Sequence, residues 1–213
     1  MRLTSETFAD NGMMPDDCAF GLLGPDKEYV WGRNLNPQLA WSDLPRGTRS
    51  LLLINDDLDV PVKLDTFNKE GAVVAKSLAR RTLCHWVLAD LAPDGPPIAL
   101  GEFSREVTIG GKPGPQAARG TRQGINAYTA WFEAGGNEKM RGDYYGYDGP
   151  CPPWNDEIPH RYVFTLYALD VPRLAVEGRF DKEAALAAMQ QAKVLGQASV
   201  TGLYALNPGL RKA

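Results

Sequence analysis

A chain of 213 residues, 44% hydrophobic and 23% charged, suits one soluble domain, or at most two small ones, with a substantial buried core. Its net charge of −3 argues against a broad nucleic-acid surface, so any anion has to be met by a local site and not by the global field. No stretch approaches the roughly 20 apolar residues of a membrane span, and Met1 to Phe20, with Arg2, Glu6, Asp10, Asp16 and Asp17, lacks the apolar core of a secretory signal. The three cysteines, Cys18, Cys84 and Cys151, are odd in number and widely spaced. Free thiols in a reducing cytoplasm are the simplest reading, with one disulfide left open as the alternative.

In chain order, Leu3 to Phe8 alternates weakly as a first strand and Asp10-Asn11-Gly12 reads as a turn. Cys18 to Leu23 and Glu28 to Trp31 are short strand candidates around Gly24-Pro25-Asp26. Residues 34–41 are extended, because Asn36 precedes a proline. Ser50 to Ile54 is an apolar run of strand length, followed by Asn55-Asp56-Asp57-Leu58-Asp59-Val60-Pro61. That acidic stretch reads either as a solvated turn or as a strand end that presents a carboxylate to a cleft.

Asn68 to Arg81 has helical spacing, with Ala72, Ala75, Leu78 and Ala79 on one side and basic residues in the last turn. Leu83 to Leu91 is a strand carrying His85. Ile98 to Ile109 contains a short strand, 110–124 is irregular, and Ile125 to Phe132 forms a short helix broken at Gly135-Gly136-Asn137. Tyr162 to Leu169 is the clearest strand, rich in aromatic and β-branched residues. Phe180 to Leu195 is the clearest helix, with Asp181 as N-cap and a stripe of Ala184, Ala188, Ala192 and Leu195. Ser199 to Leu206 is a last strand and 208–213 a tail. Many strands and few helices point to a mainly β, largely antiparallel fold.

Between the middle helix and the clearest strand, Gly149-Pro150-Cys151-Pro152-Pro153 is a loop stiffened by three prolines, leading to His160-Arg161-Tyr162. Together with Asp57-Leu58-Asp59-Val60-Pro61 and His85-Trp86-Val87-Leu88, these motifs, in this order, resemble the phosphatidylethanolamine-binding protein family, which includes Raf-kinase inhibitor proteins and bacterial relatives. Asn36-Pro37-Gln38-Leu39-Ala40-Trp41 and the last helix and strand extend the likeness over about residues 5 to 206. The chain departs from the family pattern at Leu58, where a proline is usual, at Pro159, where glycine is frequent, and in two longer segments near 62–82 and 112–145.

The resemblance implies a single domain over 1–213, built on a central antiparallel sheet with Greek-key connections, a second small sheet and peripheral helices including a C-terminal one. It implies a non-enzymatic pocket for phosphate-like anions or phospholipid head groups, lined by Asp57, His85, Gly149, Pro150, Pro152, His160 and Tyr162, with no cofactor and no metal. The residue chemistry agrees: histidines can donate to an anion, a nearby carboxylate orients them, and N–H groups near Gly149 and Cys151 can form an anion nest. Three other readings remain. A hydrolase would use the His/Asp/Cys cluster with Cys151 as nucleophile, although no G-x-S-x-G occurs. A metal site is weakened because Cys84 and His85, adjacent on a strand, face opposite ways. A protein-interaction module, such as a kinase or protease regulator, would use the basic segment Arg119 to Arg122 and the aromatics Tyr128, Trp131 and Phe132, and the resemblance to bacterial relatives separately allows a homodimer.

Overall fold

The structure is a computed structural model that describes residues 1–135 and 137–211. Gly136 of the expected helix break and Lys212 and Ala213 of the tail lie outside the described residues. The strands are β1 (Arg2–Thr4), β2 (Gly12–Met13), β3 (Gly21–Leu23), β4 (Tyr29–Trp31), β5 (Ala40–Ser42), β6 (Ser50–Pro61), β7 (Arg80–Leu91), β8 (Arg122–Gln123), β9 (His160–Leu169) and β10 (Val194–Tyr204). Two α-helices accompany them, α1 (Tyr128–Ala134) and α2 (Lys182–Met189).

Six strands form one sheet in the order β2-β10-β9-β6-β7-β8, and β1-β5 and β3-β4 make two small ribbons. Neighbours in the large sheet run antiparallel except β2 beside β10, so the sheet is mixed at that edge. The expected Greek-key character lies in the crossover from β7 to β9, in which the chain skips over β6. Period-2 alternation explains how β6 is buried on both faces. Leu51 and Leu53 join Trp86, Leu88, Phe164 and Leu166 in the main core, while Leu52 and Ile54 join Val87, Ala89 and α2 residues Ala185 and Ala188 in a second core.

Several sequence expectations shift. The acidic stretch after Ile54 is not a turn: β6 runs on through it to Pro61. Residues 68–81 form no helix; turns and an isolated bridge from Val74 to Asp156 replace it, with β7 already beginning at Arg80. Three of the four apolar positions on the expected stripe are alanines with little to bury, and Gly71 adopts φ +72°, a conformation outside the helical region. The Asn155 side chain holds this segment instead, its amide donating to the carbonyls of Thr66 and Ala72 at 2.9 and 3.0 Å.

The C-terminal helix is shorter than expected, because the chain turns after Met189 and Val194 and Leu195 enter β10. Its N-cap is Asp181, whose carboxylate accepts from Ala184 N at 2.9 Å. Its buried face is Ala185 and Ala188, and Ala184 points to solvent. The first strand stops at Thr4, Cys18 ends a 3-10 turn before β3, and of the 98–109 strand only Ile98 is bridged, to Leu39.

Candidate functional site

Three adjacent central strands bring the candidate residues together. In the β6–β9 register Asp57 stands opposite Tyr162, and directly opposed residues share one face of the sheet. Between β6 and β7, Asn55 pairs with Trp86 and Asp56 with Cys84, so β7 carries one extra residue, His85. This bulge turns His85 onto the same face as Asp57. Cys84 goes to the opposite face, where it packs in the second core, as adjacent strand positions require. A second irregularity lies between Asp57 and Val60, where β6 has the extra residue and Asp59 is aimed at Arg161.

His160, the first residue of β9, is almost completely buried and engaged at both ring nitrogens. Nδ1 lies 2.8 Å from Asp57 Oδ2 and Nε2 lies 3.2 Å from Asp156 Oδ2. Burial pushes the ring's pKa down, but the charges of Asp57 and Asp156 outweigh it and hold it up to about 9. His160 is therefore an imidazolium clamped between two carboxylates at neutral pH, with no N–H left for a ligand. Arg80 closes the network from the other side, its guanidinium donating to both Asp156 oxygens at 2.6 and 3.0 Å. Burial raises the Asp156 carboxyl, but bonds from His160 and Arg80 hold it below the usual carboxylate range.

His85 is organised differently. Its Nδ1 lies 2.7 Å from the Asp148 carbonyl oxygen, so Nδ1–H donates there and Nε2 is left for the cavity. Asp148 itself is fully buried. Its carboxylate accepts from Asn34 Nδ2 at 2.7 Å, Asn126 Nδ2 at 2.8 Å and Lys112 Nζ at 3.0 Å. This hub fixes the carbonyl that in turn fixes the His85 tautomer.

The cavity above these residues encloses about 240 Å³. Its floor is formed by the sheet, with Asp57, His85, His160 and Tyr162. Its walls come from β3 and β4, from the proline loop and from the two long segments, which contribute Phe67 and Asn68 on one side and Tyr128, Trp131 and Phe132 on the other. The Tyr162 ring meets His85 edge-on at 5.2 Å. Its hydroxyl is buried and has no hydrogen-bond partner among the described residues. Burial, followed by the charge of Asp57, raises the Tyr162 pKa well above 10, so the group stays a neutral O–H.

Of the seven residues expected to line the pocket, Asp57, His85, Pro152, His160 and Tyr162 do so. Gly149 and Pro150 do not; they brace the wall from behind. Gly149 N donates to Asn34 Oδ1 at 2.7 Å and is spent, which removes it from the expected anion nest. The position demands glycine because a Cβ there would come within 1.9 Å of the Cys18 carbonyl oxygen. The Pro150 carbonyl accepts from Phe20 N at 2.9 Å. Cys151 does line the cavity, but burial pushes its thiol up to about 12.

The expected basic surface at Arg119 to Arg122 does not exist as such. Arg122 is buried, paired with Asp90 at 2.6 Å and donating to the Leu174 carbonyl at 2.7 Å, and Arg119 is bonded to Glu102. Phe132 is half-buried against Phe20, Tyr128 and Tyr144. The sequence reading missed Asp156, Arg80, Asp148, Asn34 and Asn126. The one available signal was an acid four residues before His160; the others are placed by long-range contacts that no local spacing reveals.

Comparison with known proteins gives a consistent picture. A family model described as phosphatidylethanolamine-binding protein matches residues 4–205. A UPF0098 protein of Methanothermobacter thermautotrophicus is 32% identical over 207 residues, 96% of this chain and 98% of that protein. The crystal structure of a phosphatidylethanolamine-binding protein homologue from Chlamydia trachomatis, 28% identical, superposes with a TM-score of 0.62 over 95% of both chains. That of Escherichia coli YbcL, described as a new member of the mammalian PEBP family, has a TM-score of 0.64 over 96% of this chain and 97% of its own, and at 21% identity supports the fold alone. No helix among the described residues is long and apolar enough to cross a membrane.

Proposed function

This chain belongs to the phosphatidylethanolamine-binding protein family, and from that premise we propose that its cavity holds a small phosphate-like anion or phospholipid head group without transforming it. The observation that carries this reading is the buried Tyr162 hydroxyl, which has no hydrogen-bond partner among the described residues and belongs to a ring 5.2 Å from that of His85, whose Nε2 is uncommitted. A buried polar group left unpaired costs about 1–3 kcal/mol, a cost that a ligand oxygen removes. Tyr162 O–H donates to such an oxygen. His85 Nε2 accepts from a protonated phosphate oxygen, or donates once the ring itself is protonated. His160 acts at one remove, by holding Asp57 and Asp156 in place.

The hydrolase reading requires a nucleophile. Among the described residues lining the cavity there is no serine or threonine, and the raised thiol pKa of Cys151 keeps it protonated at neutral pH. A reducing, cytoplasmic location is part of the proposal; it is supported by three cysteines that all remain unpaired.

Titration calorimetry with inorganic phosphate and with phosphoethanolamine tests the reading. Tyr162→Phe is expected to weaken both by about tenfold, the equivalent of roughly one hydrogen bond, while leaving the melting temperature unchanged or slightly raised, because it deletes an unsatisfied hydroxyl. Absence of heat from either ligand at millimolar concentration, or a Tyr162→Phe variant that binds like the parent, would overturn it.

A further inference from the structure

We infer that Asp56 and Lys182, on the side of the sheet away from the cavity, are positioning residues for His85: their ion pair holds the bulge that turns the ring onto the floor. The inference rests on the proposed reading of the floor as an anion site and adds to it two residues that never touch the anion.

The need for a brace comes from the register. Between β6 and β9 the pairing is unbroken from Ser50 to Asp57. On the other side of β6 it steps from Asn55 opposite Trp86 to Asp56 opposite Cys84, and His85 is left without a partner. A bulged strand has lost ladder hydrogen bonds at that point. A slip of one residue there would turn the His85 ring off the face it shares with Asp57.

Asp56 is the residue at the step. Its side chain lies on the α2 face, opposite to that of Asp57, and both its oxygens accept from Lys182 Nζ, at 2.9 and 2.7 Å. The two side chains are only 19% and 20% exposed, so salt screens the pair little. Lys182 is the first residue of α2, where a cation meets the positive end of the helix dipole; the neighbouring Asp181 and Glu183 are what that end favours. Asp56, and not the helix, accounts for a lysine at this position.

The start of α2 is in turn tied to β7. The Phe180 carbonyl, two residues before Lys182, accepts from Ile125 N at 2.8 Å. Two residues beyond Ile125, Ala127 N donates to the Cys84 carbonyl at 2.8 Å. The path from Asp56 through Lys182, Phe180, Ile125 and Ala127 to Cys84 closes a ring around the bulge, and the ion pair is its one side-chain link. His85 itself is held from the outer edge, where its carbonyl accepts from Asp148 N at 3.1 Å. Opening the ring at Lys182 frees β6 and β7 to shift against each other at the residue that carries the uncommitted Nε2.

The chain has only two histidines, so nitrogen NMR of the imidazole rings reads the tautomer of His85 apart from that of His160. Lys182→Met is expected to replace the single Nδ1–H tautomer of His85 by a mixture. In calorimetry it should weaken inorganic phosphate several-fold, up to the roughly tenfold worth of one hydrogen bond. Lys182→Arg, which keeps the charge, should restore both. Ala188→Gly loosens the same helix at its other end; it is expected to lower the melting temperature while the His85 signals and the phosphate affinity stay those of the parent. Should Lys182→Met not fold, the charge-free double variant Asp56→Asn/Lys182→Met is read in its place, with the same expectations. Unchanged His85 signals or unchanged phosphate affinity in the lysine variant, or equal changes in Ala188→Gly, overturn the inference. A parent that binds no phosphate overturns the anion reading instead; His85 signals that still shift in Lys182→Met then leave the ion pair as the element that positions the ring.

Discussion

Raising the pH from 6.5 to about 9 is expected to remove about 3 kcal/mol of folding stability, through His160 alone. The folded-state pKa of this ring is raised above its unfolded value of 6.5, so the folded chain binds the proton more tightly. The resulting stabilisation is fully present below pH 6.5 and is lost as the pH climbs through about 9. The cause is geometric: the imidazolium bridges Asp57 at 2.8 Å and Asp156 at 3.2 Å in a site with almost no solvent access. Denaturant unfolding at a series of pH values measures the slope directly.

His160→Ala should flatten that slope and itself cost about 3–5 kcal/mol at neutral pH, because two buried carboxylates lose the cation between them. A parent protein equally stable at both ends of this pH window would show that the clamp is not charged. So would a His160→Ala variant that keeps the slope.

Asp148→Ala is expected to be comparably damaging, at about 3–5 kcal/mol, a fall in melting temperature on the order of 10 °C for a chain of this size. Its carboxylate is the common acceptor for Asn34, Asn126 and Lys112, and the Lys112 ammonium is itself about nine-tenths buried, with only 10% of its side chain exposed. Removing Asp148 leaves the buried Lys112 cation without its counter-charge, and leaves Lys112, Asn34 and Asn126 each with only a backbone carbonyl, of Tyr147, Glu106 and Gly146 respectively. Lys112→Met made in the same background should recover part of the loss, since the stranded charge disappears with it. A thermal melt of Asp148→Ala within about 2 °C of the parent, or no recovery in the double variant, would show that the hub does not hold the chain together.

The two results bear on what the sequence could reveal. Three of the four long strands were legible because their composition is dominated by burial: the apolar run at Ser50–Ile54, the His85–Leu91 stretch and Tyr162–Leu169 read as central strands. The motif residues Asp57, His85, His160 and Tyr162 were legible through family resemblance, and they do meet in one cavity. Their division of labour was not. The motif shows two histidines, but only register and bulge decide that one offers a free nitrogen while the other is locked between carboxylates. The 68–81 segment was misread because alanine-rich spacing imitates a helix, whereas Asn155, far along the chain, supplies hydrogen bonds to its backbone instead. Asp148 and Asn34 lie 114 residues apart in sequence, so their pairing is a property of the fold.

The cavity's division into a sheet-borne floor and a loop-borne wall also sets how the two parts open in time. Amides of β6 are hydrogen-bonded on both sides, to β7 and β9, and should exchange with deuterium only through global unfolding. The 62–79 segment, held by single turns, the isolated bridge at Val74 and the Asn155 side chain, should exchange through local opening many times faster. Under the proposed function, the polar groups of the floor stay assembled while this part of the wall opens. Mutations in the 62–79 segment are then expected to change how fast phosphate enters and leaves without disturbing the polar contacts beneath.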